Sequence, residues 1–318
     1  MPTGWTVDGD LCNSCAPQIP GIFTMKYQAL KTQTPFKQPK QTRPLMQAFT
    51  DIRALIIDMD GVLWHGDRAQ AGLVEFFQTL RDLKLPFILA TNNAGLTAEQ
   101  YVDKLAKMGV TVALNEILTS GMATALYLSE RYDPQTTRVF VIGGIGARQP
   151  LLDLGFKLTG LYETEPDQRA HLVVCGMDRE LSWDKLATAT LNLRAGAHFI
   201  GTNGDLSLPT ERGETHGNGA ILAGLTASTG IKPMIIGKPE PIIYRQALSL
   251  LNVDPAYTVA IGDRLDTDIL GAVRTGIRSL MVLSGVSSEQ DVAAADFGPT
   301  WIVPDIRDIT EILRNNTP

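Results

Sequence analysis

Residues 54–67 read ALIIDMDGVLWHGD. The apolar run 54–57 has the length and composition of a strand buried on both faces. It ends in two carboxylates, Asp58 and Asp60, separated by one methionine and followed by Gly61. Burying a carboxylate without a partner is costly, so two of them at the end of such a strand imply chemistry there.

Outward from this stretch, strands and helices alternate from Asp51 onward. Leu73, Phe76, Phe77, Leu80 and Leu83 share one helical face, 86–91 (PFILAT) reads as a second strand, and 97–108 as a second helix. Ser120 is the expected N-cap of a helix running to about Arg131. This βαβα rhythm predicts an α/β fold with a parallel, doubly wound, Rossmann-like sheet and right-handed crossovers. After Asp133-Pro134 a new set begins, with strands at 138–142, 171–175 and 198–202 and helices near 147–154, 182–195 and 218–229. From Met234 the first rhythm is expected to resume, with strands 234–236, 258–262 and 278–283 and helices 241–251 and 267–275. The expected organisation is a core of residues 51–133 and 232–318, interrupted by an inserted α/β domain at 134–231.

Residues 1–50 read differently. From Leu11 to Thr50 there is no acidic residue, while Lys26, Lys31, Lys37, Lys40 and Arg43 alternate with prolines and no hydrophobic period appears. The expectation is a disordered or loosely attached extension, or a start misassigned upstream of Met25 or Met46; a basic docking arm is the functional alternative. The net charge of −6 argues against a nucleic-acid or membrane-surface binder but leaves an anionic substrate open. Cys12, Cys15 and Cys175 make no disulfide framework, and the chain reads as cytoplasmic. Cys12-Asn-Ser-Cys15 has no second pair to complete a zinc site. The longest uncharged stretch, 216–231, is rich in Gly, Ser and Thr and too short to span a bilayer. Asp8 and Asp10 stand where an export signal needs basic residues.

Ligands of open parallel sheets bind beyond the carboxyl ends of the strands. Four expected core strands end in polar residues: Asp58-Met-Asp60-Gly61, Thr91-Asn92-Asn93, Gly237-Lys238-Pro239 and Gly262-Asp263-Arg-Leu-Asp266-Thr-Asp268. Carboxylates crowded in this way repel, and the usual remedy is a hard cation; Mg²⁺ takes a few protein oxygens and leaves room for a phosphate oxygen. The lysine then reads as a phosphate partner, with Thr91 and the amides of Asn92 and Asn93 as further donors. The site is expected to hold a phosphoryl group, with one aspartate as nucleophile and Asp60 moving the proton.

These four ordered motifs resemble those of the haloacid dehalogenase superfamily. The continuation Leu63-Trp64-His65-Gly66 and the long insertion are similar to its IIA phosphatases with a C2-type cap, over about residues 51–310. The resemblance implies Asp58 as nucleophile and metal ligand, and Asp60 as general acid/base with its carbonyl on the metal. It implies Thr91 and Asn92 on phosphate, Lys238 balancing its charge, Asp263 as a metal ligand and Asp268 supporting the metal through water. Asp266 is expected to cap the following helix. The implied activity is Mg²⁺-dependent hydrolysis of a small phosphorylated metabolite: nitrophenyl phosphate, phosphoglycolate, a sugar phosphate or a nucleoside monophosphate. A transferase or mutase on the same core and a non-catalytic phospholigand-binding protein are the alternatives. A homodimer through the cap is also implied.

Other motifs carry less. Gly143-Gly-Ile-Gly146 lacks the third glycine of a dinucleotide turn and is expected to be a tight strand-to-helix turn in the cap, and Gly237-Lys238-Pro239 is no Walker A. The polar stretch 205–216 (DLSLPTERGETH) reads as a loop; the resemblance implies that it faces the leaving group, with Asp205, Leu208, Glu211, Arg212 and His216 as candidates. Pyridoxal phosphatases carry a histidine near the position of Leu208, which disfavours pyridoxal phosphate. His65 is expected to orient its loop, and His171 and His198 to be structural.

Overall fold

The computed structural model describes residues 51–210 and 213–315; the N-terminal extension with Cys12 and Cys15, and Glu211 and Arg212, lie outside the described residues. The first strand, β1 (Ala54–Ile57), is buried along its length. Its side chains alternate between two layers. Leu55 and Ile57 pack with the helices Leu73–Asp82 and Ile306–Asn315, while Ile56 packs with the helices Ser120–Ser129 and Pro241–Leu251. The short strands β2 (Trp64–His65) and β3 (Arg68–Ala69) pair antiparallel. β4 (Phe87–Thr91) and β5 (Ile117–Thr119) extend the sheet from β1, all in parallel. Thr119, not Ser120, caps the next helix, accepting from Met122 N at 3.1 Å. The Ser120 hydroxyl donates instead to Asn92 O at 2.6 Å.

The second sheet is formed by β6 (Arg138–Ile142), β7 (Lys157–Leu158), β8 (Leu172–Cys175) and β9 (His198–Gly201). A hairpin, β10 (Ser207–Thr210) and β11 (Gly213–His216), replaces the loop expected there. Then comes β12 (Met234–Ile235), which pairs with β9 and not with the first sheet. The order is β12-β9-β8-β6-β7, all parallel. The second sheet therefore reaches past residue 231; the strand expected to reopen the first sheet at 234 belongs to the second, and the return comes with the helix Pro241–Leu251 packed under β1 and then β13 (Thr258–Gly262). One face of this sheet is covered by the helices Trp183–Arg194 and Asn218–Thr229. Its other face, with Val139, Val141, Leu172, Val174 and Ile200, joins the apolar layer under β1 through Ala123, Ala147 and Leu151.

β14 (Arg278–Val282) and β15 (Trp301–Val303) complete the first sheet in the order β15-β14-β13-β1-β4-β5. The chain leaves β1 toward β4 and β5 on one side and returns through β13 to β15 on the other. The strand order thus reverses between β1 and β13, the switch point at which doubly wound sheets bind ligands. The helix expected at 267–275 opens with a π-turn, Leu265–Ile269, before the α-helix Leu270–Thr275. Among the described residues no helix is long and apolar enough to cross a membrane.

Candidate active site

Two neighbouring strand ends start the site. β1 and β13 pair with Ile57 opposite Ile261, so Asp58 and Asp263 emerge into one crevice. Asp58 N donates to Ile261 O at 2.8 Å, carrying the ladder one residue past the strand. The π-turn after Asp263 brings Asp268 back to the same point, where its Oδ2 accepts from Arg264 N at 3.1 Å. One oxygen from each of Asp58, Asp263 and Asp268 lies within 4.8 Å of the others. All three carboxylates are buried.

Asp263 is gripped by backbone. Its Oδ2 accepts from Val286 N at 2.8 Å, and Ser287 N donates to its carbonyl at 3.1 Å. A Cβ on Gly285 would stand 1.9 Å from Asp263 Oδ2, and one on Gly61, whose φ is +83°, would stand 2.4 Å from it. Only glycine fits at either place. Asp263 Oδ1 is buried and has no hydrogen-bond partner among the described residues.

Lys238 reaches this cluster just past the edge of the second sheet, beyond β12. Its ammonium donates to Asp58 Oδ1 and, at 3.0 Å, to Ala90 O, and it stands 2.7 Å from Asp268 Oδ1. Burial pushes the Asp58 carboxyl well above the usual range; Lys238 opposes the rise without reversing it, and Asp268 and Asp263 add to it. Burial and the charge of Asp268 push Asp263 up to about 7. Burial works against the charge of Lys238, but Asp268 and Asp58 outweigh it, and its pKa lies well above the ordinary lysine value. Three carboxylates against one ammonium leave two negative charges uncompensated, and each unpaired buried ion costs several kcal/mol. That deficit is the charge of one divalent cation, the donors are all oxygen, and Asp263 Oδ1 is unspent. The residues fit a hard divalent cation.

The residues after β4 divide their work. Thr91 Oγ1 accepts from Asn93 N at 3.0 Å, and Asn93 Oδ1 accepts from Gly95 N at 2.8 Å, so both shape the turn. The Asn92 carboxamide is spent on Lys238, not aimed at a substrate. Its Oδ1 accepts from Lys238 N at 2.7 Å, and its Nδ2 donates to Lys238 O at 2.8 Å. The same Nδ2 donates to Asp205 at 3.0 and 3.3 Å. What Asn92 still offers a phosphate is its backbone N–H. Burial pushes the Asp205 carboxyl up, opposed by the Asn92 hydrogen bond and the charge of Arg264.

Asp60 stands apart from the three-carboxylate cluster. Its side chain is exposed, and its Oδ1 accepts from Trp64 Nε1 at 2.7 Å. Trp64 is fully buried, and the Lys104 ammonium lies 4.6 Å from its ring centre. In the sequence this orienting indole stands only as part of a motif; the signal for it is the Asp-x-x-x-Trp spacing. The loop 284–287, whose Ser284 hydroxyl donates to Gly61 O at 2.9 Å, carried no sequence signal.

The other candidates fall outside this cluster. Asp266 pairs at 3.3 Å with Arg264 instead of capping the helix, and Asp268 accepts from the backbone four residues back, at Arg264 N. His65 and His216 are exposed, and Leu208 lies on the hairpin. His171 Nδ1 accepts from Arg138 N at 3.1 Å, and His198 packs against the Tyr132 ring, so both serve the second sheet. Gly143 and Gly144 form a strand-to-helix turn, bonded to Asp178 Oδ2 and Met177 O.

A family model described as haloacid dehalogenase-like hydrolase matches residues 55–157, and one described as HAD-hydrolase-like matches residues 235–309. An acid sugar phosphatase of Staphylococcus epidermidis is 38% identical over 254 residues, covering 80% of this chain and 95% of that protein. The 4-nitrophenylphosphatase of Thermotoga maritima is similar in structure, with a TM-score of 0.77 at 31% identity over 83% of this chain and 98% of that one. NagD of Escherichia coli K-12 matches with a TM-score of 0.73 at 34% identity, over 80% and 97%.

Proposed function

The chain belongs to the haloacid dehalogenase-like hydrolases and is a phosphatase of that family, and we propose that it hydrolyses small phosphate monoesters in the cytoplasm through an aspartyl-phosphate. The observation that carries this reading is the meeting of Asp58, Asp263, Asp268 and Lys238 at the β1/β13 switch point. Asp58, Asp263 and the Asp60 carbonyl would hold Mg²⁺, with Asp268 behind them. When bound, the cation supplies charge that keeps Asp58 ionised and offsets the phosphoryl oxygens.

An Asp58 carboxylate oxygen attacks phosphorus, forming an acyl–phosphate bond as the bond to the leaving oxygen breaks. Asp60, held by Trp64, gives its proton to that oxygen. It then takes a proton from the water that hydrolyses the aspartyl-phosphate, which releases phosphate and restores Asp58. Lys238, Thr91 and the backbone N–H of Asn92 hold the phosphoryl oxygens. Relatives named acid sugar phosphatase, matched over 95% of their length, favour sugar phosphates over phosphoglycolate and nucleoside monophosphates. A homodimer through the inserted segment belongs to the same proposal, supported by Trp183, which is 81% exposed there.

Phosphate release from p-nitrophenyl phosphate and from a panel of sugar phosphates tests this reading. Turnover is expected only with Mg²⁺, and Asp58→Asn is expected to abolish it with the circular dichroism unchanged. Metal-independent turnover or a fully active Asp58→Asn would overturn the mechanism. Transfer to an added alcohol in preference to water would make the protein a transferase.

A further inference from the structure

The segment after β9 grips the core at Asn92 in two places. Asn203 Nδ2 donates to Asn92 O at 2.8 Å, and Asp205 accepts from Asn92 Nδ2. The grip is built firmly. Asp205 N donates to Asn203 Oδ1 at 3.2 Å, and Gly219 N donates to Asp205 O at 2.8 Å. A Cβ on Gly217 would stand 2.2 Å from Asp205 O, so the glycine lets the backbone close on this loop. A loop needing only a turn has no reason to carry a half-buried carboxylate.

What a carboxylate does here follows from its chemistry. It only accepts, so it can face only the Nδ2 side of the Asn92 carboxamide. That holds the amide in the one orientation serving both backbone groups of Lys238: Oδ1 on its N–H and Nδ2 on its carbonyl. The Lys238 ammonium in turn lies on Asp58 and Asp268. We propose that Asp205 is a positioning residue that links the seating of the inserted segment to the placement of Lys238, acting through Asn92. This rests on the role given to Lys238 above. Asp205 then touches neither phosphate nor leaving group, and it acts on every substrate alike.

The test compares Asp205→Ala and Asp205→Asn in the full chain with Mg²⁺, on p-nitrophenyl phosphate and on a sugar phosphate. Removing the outer partner of a metal ligand typically costs about 10–100-fold in activity, and the same scale is expected for a side chain that supports Lys238. The expected result for Asp205→Ala is a fall in kcat of roughly that size, by the same factor on both substrates and with KM little changed. Asp205→Asn, which keeps an acceptor of the same size, should recover part of the loss and remains informative should the alanine variant not fold. Adding Asn92→Ala to Asp205→Ala should cost little beyond the larger single loss, because the two act as one unit. A loss carried in KM and differing between leaving groups would overturn the proposal, as would independent, additive losses. So would an unchanged kcat with a lowered Tm. Lys238→Met, measured alongside, separates the two readings: wild-type turnover in that variant sinks the role of Lys238 itself, whatever Asp205 does.

Discussion

The ends of β1 and β13 and the hairpin β10–β11 are both polar, and they are built on opposite principles. At the strand ends, Asp58, Asp263, Asp268 and Lys238 are buried, and each is placed by another member of the group or by backbone. On the hairpin, every described residue of β11 is exposed, and Ser207 and Glu214 bond to each other at the surface. A mutually supported buried network cannot change one member without disturbing the rest. An exposed ribbon can change its side chains at little cost to the fold. The expectation that follows is that the common chemistry lies in the first region and the choice of substrate in the second.

The sharpest way to break this division is to disturb the network without touching a functional group. Gly285→Ala adds one methyl group 1.9 Å from Asp263 Oδ2, and Asp263 cannot retreat without leaving Val286 N. The expected outcome is a rise of roughly 10–100-fold in the Mg²⁺ concentration for half-maximal activity, the scale of lost support to a metal ligand. Every substrate should be affected alike. Magnesium titrations on two substrates check it, and an unchanged requirement would detach Asp263 from the metal.

A smaller effect is expected in the metal-stripped protein, read as stability against pH. Asp263 is raised from the ordinary 3.8 to about 7, so between those values the folded state holds a proton that the unfolded state has released. Stability from this group is therefore complete below about pH 4 and lost as pH rises through about 7, the reverse of a salt-bridged aspartate. Urea midpoints without metal should fall across that window. Saturating Mg²⁺, which binds the ionised carboxylates, should flatten or invert the slope. A metal-independent slope would mean that the three carboxylates are compensated in some other way.

The same contrast explains what could be read from the sequence. Apolar runs ending in Asp58, Thr91 and Asp263 revealed buried parallel strands with chemistry at their ends, because burial on both faces forces a continuous apolar run. Met234 and Ile235 carry too little pattern to say which sheet they join, and pairing with β9 decides it. In the sequence the hairpin reads as a loop because DLSLPTERGETH shows no apolar alternation, in keeping with the exposure of all of β11. Asp266 and Asp268 are indistinguishable by spacing; the π-turn buries one and leaves the other exposed. Asn92 was legible as a polar strand end, but its commitment to Lys238, 146 residues away, is a product of tertiary packing.

The smallest expected effect on the fold falls on the hairpin, and it bears most directly on substrate choice. Glu214→Ala and His216→Ala remove exposed side chains, so each should shift stability by no more than about 0.5 kcal/mol. If either side chain meets the leaving group, its loss should change the ratio of kcat/KM between a sugar phosphate and p-nitrophenyl phosphate. A contact worth about 1–3 kcal/mol alters that ratio roughly 10-fold or more. The ratio is the decisive readout, because both substrates share the phosphoryl group and differ only in what departs. A change in the ratio with an unchanged magnesium requirement would place selection on the hairpin and chemistry at the strand ends. Equal losses on both substrates would make the exposed ribbon part of the catalytic machinery, and burial would then be a poor guide to which residues of this protein do chemistry.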